Sequence, residues 1–477
     1  MKRILTVLAV VAILASLLAV PVAAEPQARS YLIIATEKLP AKLAEKVSAA
    51  GGTLTTAIPE IGVAVASSSD LKFAAKAAKI SGVRSVVSDV RVQWITPNYY
   101  QEAVEVEYGN PPYSGDNDTR FDLQWGHDAV DAPEAWNLGF RGEGARVAVL
   151  DTGFDTDHPD LAPNINFDLS ANFTDEPSLT YALPDAFSHG SHVAGTIAAA
   201  DNAFGTIGVA PEAELVLVKV MVDDGWGQWD WLMQGIVYAA NVDADVINMS
   251  LGGYFARHGY LDDNGTPDDP SDDYWVGANE IAELLVALGR ATTYAYQQGT
   301  TLIAAAGNDS LDFDHSADWL HVPAGSPHVI SIAATAPIGW GVDPTVSLDN
   351  SASYSNYGQS AIDFAAPGGD YMYYFVDPVQ LCTVAGVTRP CYVFDYVFST
   401  GSSLNPAIAS YYWGAGTSMA APHASGVAAI VIGANGGDMP PAQVEAALRA
   451  SADDLGKPGN DDFYGLGRVN AGNYFPE

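Results

Sequence analysis

The run Val147-Ala148-Val149-Leu150-Asp151-Thr152-Gly153 decides the fold. Four apolar residues end in an Asp and a Gly turn, with no polar residue alternating among them. A strand without that alternation is covered on both faces, which is the pattern of a parallel sheet packed between helices. In open α/β sheets, functional groups collect beyond the carboxyl ends of the strands, and Asp151 stands at such an end. Taken alone, an Asp there more often serves as a turn or capping residue.

Working outward, similar runs recur at 215–220, 246–249, 301–306 and 329–333, and the first spans 146–150. Stretches with helical patterning lie between or after them, at 191–200, 229–240, 278–298, 418–432 and 441–450. That alternation predicts an α/β fold of three layers with a mostly parallel central sheet. It extends over 121–477 and is interrupted at 255–275, which is acidic, and at 371–412, which is aromatic and holds both cysteines. These two stretches exceed ordinary connections and read as inserted surface loops. The acidic one offers carboxylates for a further cation, though a solvated acidic loop is the simpler reading.

Before this body, residues 28–95 read as a small α+β unit, with strands at 31–35, 53–57, 61–67 and 83–92 and helices at 40–50 and 70–80. Residues 96–120 are polar, rich in Pro, Gly, Asn and Asp, and read as a linker. Lys2 and Arg3, an apolar run over 4–20 and the small residues Val22-Ala23-Ala24 form a secretory signal over 1–24. No later stretch reads as a membrane span, so a secreted protein without a stable membrane anchor is expected.

The charge is uneven. Residues 25–95 carry nine Lys and Arg against six Asp and Glu, whereas 96–477 carry ten against 51. A formal net charge of −36 excludes nucleic acid as a partner, because phosphate binding needs clustered basic residues. In an exported chain the only two cysteines, Cys382 and Cys391, are expected to pair.

Three further stretches carry chemistry. In His189-Gly190-Ser191-His192-Val193-Ala194-Gly195-Thr196 a His opens a helix of small residues. Two His three apart could suggest a metal, but no third ligand is spaced for one. In Gly416-Thr417-Ser418-Met419-Ala420-Ala421-Pro422-His423 a Ser follows a Gly turn and begins another such helix. Backbone N–H groups and the positive end of the helix dipole then face that hydroxyl, which suits a nucleophile whose attack creates an oxyanion. Ala304-Ala305-Ala306-Gly307-Asn308 ends a buried strand in a Gly-Asn pair whose amide could donate to that oxyanion. Each has an ordinary alternative as a cap or turn. Together they supply a hydroxyl, a base to take its proton and a carboxylate to orient the base.

These blocks, with Asn248-Met249-Ser250-Leu251-Gly252-Gly253 and Gly465-Leu466-Gly467-Arg468-Val469-Asn470-Ala471, closely resemble the subtilisin-like serine peptidases, or subtilases. The similarity runs from about Gln124 to Ala471, outside the two insertions. Their order, Asp then His then Ser, is the order known from subtilisin itself. Ser191, where the family usually has Thr, is a conservative departure. The resemblance implies a serine endopeptidase with Asp151, His189 and Ser418 as catalytic triad and Asn308 in the oxyanion hole. It implies a cleft edged by Ser250, Leu251 and Gly252 on one side and Ala306 and Gly307 on the other. Asp309, directly after Asn308, would favour basic side chains at the pocket mouth.

Residues 25–95 resemble the family's propeptide, which implies an intramolecular inhibitor released by cleavage between Gln93 and Arg120. The family's calcium loop is matched at 200–208, implying a calcium ion held by the side chains of Gln124, Asp160 and Asn202 and the carbonyls of Ala200, Phe204 and Thr206. A monomer acting on protein or peptide substrates is expected. A catalytically silent scaffold on the same fold is the alternative, and the completeness of the four-residue site favours the enzyme.

Overall fold

The computed structural model describes residues 28–95, 99–102, 116–262, 270 and 273–475. The signal-like segment 1–24 and most of the stretch 96–115 lie outside them. The chain divides into two compact units between Ser88 and Asp89.

The small unit is one antiparallel sheet in the order Thr53–Ile58, Val63–Ser68, Arg29–Ala35, Val83–Ser88. Tyr31, Ile33, Ala64 and Ala66 point from its strands to a core completed by Val47 of helix Leu43–Ala50 and Phe73 of helix Phe73–Ala77. The second helix is shorter than the 70–80 expected, because the Asp70 carboxylate accepts the Lys72 N–H at 2.9 Å and forms a turn ahead of it. The expected strand over 83–92 is two strands. It ends at Ser88, and Arg91–Gln93, already within the large unit, pairs there with Trp226–Gln228.

The large unit is built on an eight-stranded sheet. Its strands are β1 (Arg146–Asp151), β2 (Ala171–Asn172), β3 (Glu214–Lys219), β4 (Val246–Met249), β5 (Thr301–Ala305), β6 (Val329–Ala336), β7 (Asn350–Ser351) and β8 (Phe364–Pro367). The order is β7-β6-β5-β4-β1-β3-β2, with β8 also on β6. Every pairing is parallel except β6 with β7. The sheet is covered on both faces, as its unbroken apolar runs require. Val147 and Val149 meet helices α1 (His189–Ala198) and α4 (Thr417–Ala434) on one face. Leu150 lies under Gly235 of α2 (Trp229–Asn241) on the other, beside α3 (Ala278–Gln298). Helix α5 (Pro441–Ser451) packs on α4.

Helix α4 is apolar on all sides, and residues Thr417 to Ile432 are buried, as an all-round apolar helix must be. It corrects one expectation. By length and composition it could cross a membrane, but 89% of it is buried inside the unit. Small residues allow its close approach: a Cβ on Gly426 would come within 2.5 Å of the Val209 Cβ.

The aromatic insertion is the larger surprise. Its first part is a surface hairpin, Leu381–Val384 with Val387–Pro390, and the Cys382 and Cys391 sulfurs are bonded at 1.98 Å. Its second part is core. Val397–Thr400 pairs with Tyr411–Ala415, which pairs in turn with Tyr99–Glu102. Phe394, Phe398, Tyr411 and Trp413 are each 1% exposed. Phe398→Ala should therefore cost about 3–5 kcal/mol, the range for truncating a buried aromatic, whereas Val379→Ser, at an 80% exposed position just ahead of the hairpin, should change stability by less than about 0.5 kcal/mol. Denaturant unfolding of the two variants beside the parent measures the contrast.

Candidate active site

Asp151 closes β1 with no exposed surface. Its Oδ1 accepts the Thr152 N–H at 2.7 Å. His189 opens α1, whose first turn is capped by Ser188 through a 3.1 Å bond from the Ser191 N–H. The Thr152 hydroxyl accepts the Gly190 N–H at 3.1 Å and ties the strand end to the helix start. His189 Nδ1 then lies 2.8 Å from Asp151 Oδ1 and 3.0 Å from Oδ2. A carboxylate so placed keeps the proton on Nδ1 and makes Nε2 the basic nitrogen. That Nε2 is buried and has no hydrogen-bond partner among the described residues.

Ser418 is the second residue of α4 and is nearly buried. Its hydroxyl donates to the Ser250 carbonyl at 3.1 Å, and the Ser250 hydroxyl donates back to the Ser418 carbonyl at 2.8 Å. Asn248, at 3.0 Å from the Ser250 hydroxyl and 2.9 Å from that of Ser425, locks the end of β4 to α4. The serine hydroxyl thus rests on the cleft edge and makes no hydrogen bond to His189 Nε2. Met419, its neighbour, lines one cavity with His189, Thr152 and Gly225.

Asn308 follows β5. Its Oδ1 accepts both the N–H and the hydroxyl of Thr417, each at 2.8 Å. The carbonyl end of the amide is committed, so its donor end is the nitrogen, in a residue lining the same small cavity as Ser418. Asp151, Ser250 and Asn308 all stand at or just past carboxyl ends of parallel strands, the rim where such sheets place chemistry.

His192 is not part of this set. Its Nε2 faces the Val397 carbonyl at 3.2 Å, and burial pushes its imidazole down to about 3.

The cleft rims already carry a strand from the same chain. Gln93 pairs with Trp226 and Arg91 with Gln228. The Trp94 N–H donates to the Gly225 carbonyl at 3.1 Å, and the Trp94 carbonyl accepts the Gly252 N–H at 2.9 Å. The indole is buried against Trp229 and Phe255, with ring centres at 5.6 and 6.3 Å. Past Ile95, Tyr99–Glu102 pairs with Tyr411–Ala415, and Tyr99 stands opposite Ala415, three residues before Ser418. Leu251, Gly252, Ala305, Gly307 and Asp309 line the pocket beside Ser418, while Ala306 faces a larger cavity behind it. Asp309 is hydrogen-bonded to the Tyr254 phenol, and burial together with that carboxylate raises the phenol's pKa.

The 200–208 loop revises the expected ligand set. Gln124 is spent on Ile207: its Nε2 donates to the Ile207 carbonyl at 2.9 Å and its Oε1 accepts the Ile207 N–H at 3.0 Å. Asp160 Oδ2 accepts from the Thr206 N–H at 2.9 Å, the Thr206 hydroxyl at 3.2 Å and the Tyr411 hydroxyl at 2.9 Å. Asn202 is 3.4 Å from Asp160 Oδ1. The reading of the sequence missed Asp118, whose Oδ1 accepts the N–H groups of Asn202 at 3.4 Å and Phe204 at 3.0 Å. Asp116, Asp118 and Asp201 bring carboxylate oxygens within 4.8 Å of one another. Burial, then Asp116, pushes Asp118 up to about 9. The polar run Asp116-Asn117-Asp118 was a signal available in the sequence, but it fell in the stretch read as linker.

A buried carboxylate–imidazole pair, a serine at a helix start and an amide donor define a serine hydrolase of the α/β class. The model of the subtilase family matches residues 142–467, and this chain belongs to that family and is a serine endopeptidase. Similar relatives include an intracellular serine protease of Paenibacillus polymyxa, 34% identical over 64% of this chain and 72% of that one. Subtilisin NAT of Bacillus subtilis subsp. natto is 32% identical over 73% of this chain and 70% of its own. Among solved structures, an epidermin leader peptide processing serine protease from Staphylococcus aureus shares the fold with a TM-score of 0.70. It is 22% identical, and the match covers 94% of this chain and 98% of its own.

Asn308→Ala should lower kcat by roughly 10²–10³, the loss found on removing the equivalent donor in subtilisin, with KM little changed. Steady-state kinetics on a peptide amide reads both constants.

Proposed function

We propose that this chain is a secreted serine endopeptidase made as a precursor that occupies its own cleft, with Asp151, His189 and Ser418 as the catalytic residues. The observation that carries the catalytic assignment is the buried Asp151–His189 pair, which leaves one basic nitrogen unspent. In this reading His189 Nε2 takes the proton as the Ser418 oxygen attacks the scissile carbonyl. Asp151 holds the ring and stabilises the imidazolium. The Asn308 amide and the Ser418 N–H receive the oxyanion. His189 then protonates the leaving amine, and water, activated by the same ring, releases the acyl group from Ser418.

The strand pairings on both rims support maturation by self-cleavage. Residues 91–93 pair with 226–228, Ile95 lines the pocket that holds Ser418, and 99–102 pair with the strand that ends at Ala415. We take the processing site to lie among the bonds between Ile95 and Tyr99, a reading these pairings support. Residues 25–95, with the inhibitory strand at their end, then act as propeptide, and the export-type segment 1–24 supports secretion. N-terminal sequencing of the mature form should give a start within 96–99, and Ser418→Ala should remain uncut. A mature-sized Ser418→Ala product made without added protease would overturn self-processing.

We also propose that calcium binds at the 200–206 loop. The carboxylates of Asp116, Asp118 and Asp201 come together there, with Arg141 paired to Asp201, and the Asn202 amide stands 3.4 Å from Asp160 Oδ1; oxygen donors of this kind are what a hard cation takes, with Asp118 added to the expected set. The side chains that would hold the ion are Asp118, Asp160, Asp201 and Asn202, with the loop carbonyls of Ala200, Phe204 and Thr206. An ion at a hundredfold excess over its Kd stabilises by about 2.7 kcal/mol. EDTA should therefore lower Tm by several degrees, with recovery on adding calcium. A Tm indifferent to both would remove the site.

A further inference from the structure

The pocket beside Ser418 is a slot between two glycines, Gly252 past β4 and Gly307 past β5, and protein side chains fill it from its inner end. A Cβ added at Gly252 would collide with His321 Nε2. One added at Gly307 would collide with the Tyr254 hydroxyl and the Asn356 amide and would come within 3.1 Å of the same His321 Nε2. One imidazole edge therefore touches both walls. The two rings form a cross-strand pair. Gly253–Ala256 runs antiparallel to Trp319–Val322, with Tyr254 directly opposite His321 and ring centres 4.7 Å apart. Such opposed residues share one face of the ribbon.

Both side chains are held in place. The Tyr254 hydroxyl sits 2.7 Å from Asn356 Nδ2 and accepts the Asn308 N–H at 3.1 Å. His321 is buried, and burial lowers its pKa to about 4. Behind the imidazole lies a cavity of about 470 Å³ lined by Ala306, Phe313, Trp319 and Ala324. In front of it, beside Ser418, where Trp94 and Ile95 of the same chain also line the space, the free volume is about 30 Å³, about the share of one water molecule in the liquid. His321 borders both spaces.

We infer that His321, backed by Tyr254, is a partition that shortens the pocket for the side chain preceding the scissile bond and restricts cleavage to bonds after small residues such as Gly, Ala, Ser or Thr. The inference rests on Ser418 being the nucleophile. Of the residues that can precede a cut between Ile95 and Tyr99, Thr96 belongs to that class, whereas Ile95 is large and apolar. A neutral imidazole also presents no charge to attract a basic side chain, and Asp309 is already engaged by Tyr254.

The test compares mature enzyme on two peptides that differ only in Ala or Phe before the cut, with active sites counted by a fluorophosphonate probe. Wild type should favour Ala by at least about 100-fold in kcat/KM, the upper part of the range that pocket size alone supplies. His321→Gly, which joins the two cavities, should raise kcat/KM for the Phe peptide relative to the Ala peptide at least tenfold, mainly through the KM of the Phe peptide. Wild type cleaving after Phe as readily as after Ala would overturn the partition, and that result needs no folded variant. So would a His321→Gly enzyme with normal active-site counts and an unchanged ratio. No probe labelling and no cleavage of either peptide would overturn the catalytic reading and the partition together, which separates that failure from a failure of the partition alone.

Discussion

A carboxylate sealed from water, that of Asp151, is the constraint around which the large unit is arranged. An isolated buried charge is costly unless donors surround it. The Thr152 N–H and His189 Nδ1 supply them. To do so, β1 must stop in a tight turn and α1 must begin against it. Crowding follows on both sides of the pair. A Cβ at Gly153 would lie 2.8 Å from the Tyr181 Cα, and one at Gly190 would lie 2.8 Å from the Phe154 ring. The glycines flanking Asp151 and His189 are thus there for space, and the short side chains of α1 and α4 have the same cause.

Much of this was legible beforehand because it depends on local pattern. Strands buried on both faces have no polar alternation, so β1, β3, β4, β5 and β6 were read within a residue or a few of their ends. Helices opened by His189 and Ser418 were visible from small residues after a Gly or Ser. The second half of the aromatic insertion was not legible. Tyr411–Ala415 has the composition of a strand, but its partners, Val397–Thr400 and Tyr99–Glu102, lie in stretches broken by Ser, Gly and Asn. Pairing over roughly 300 residues leaves no periodic trace. For the same reason the strand over 83–92 was read as one, although its end belongs to the large unit and pairs with residues far along the chain.

The site divides along the same line. The residues proposed to carry chemistry sit in compact motifs and could be named one by one from the sequence. Residues that shape the pocket, Tyr254 and His321, lie far apart in the chain and meet only because two short strands align them. Gln124 shows what a residue type alone leaves open. A residue type suited to a cation was assigned to one, but in the fold its amide matches the Ile207 backbone pair for pair, and the neighbouring Asp118 meets the loop instead.

The strand lying along both rims has a kinetic meaning. A peptide from outside competes with a tethered segment, whose local concentration is set by chain length and not by how much protein is present; for short tethers it is in the millimolar range. Dilution therefore does nothing to free the cleft. In the proposed reading, only scission of the tether turns this first-order competitor into one that can diffuse away.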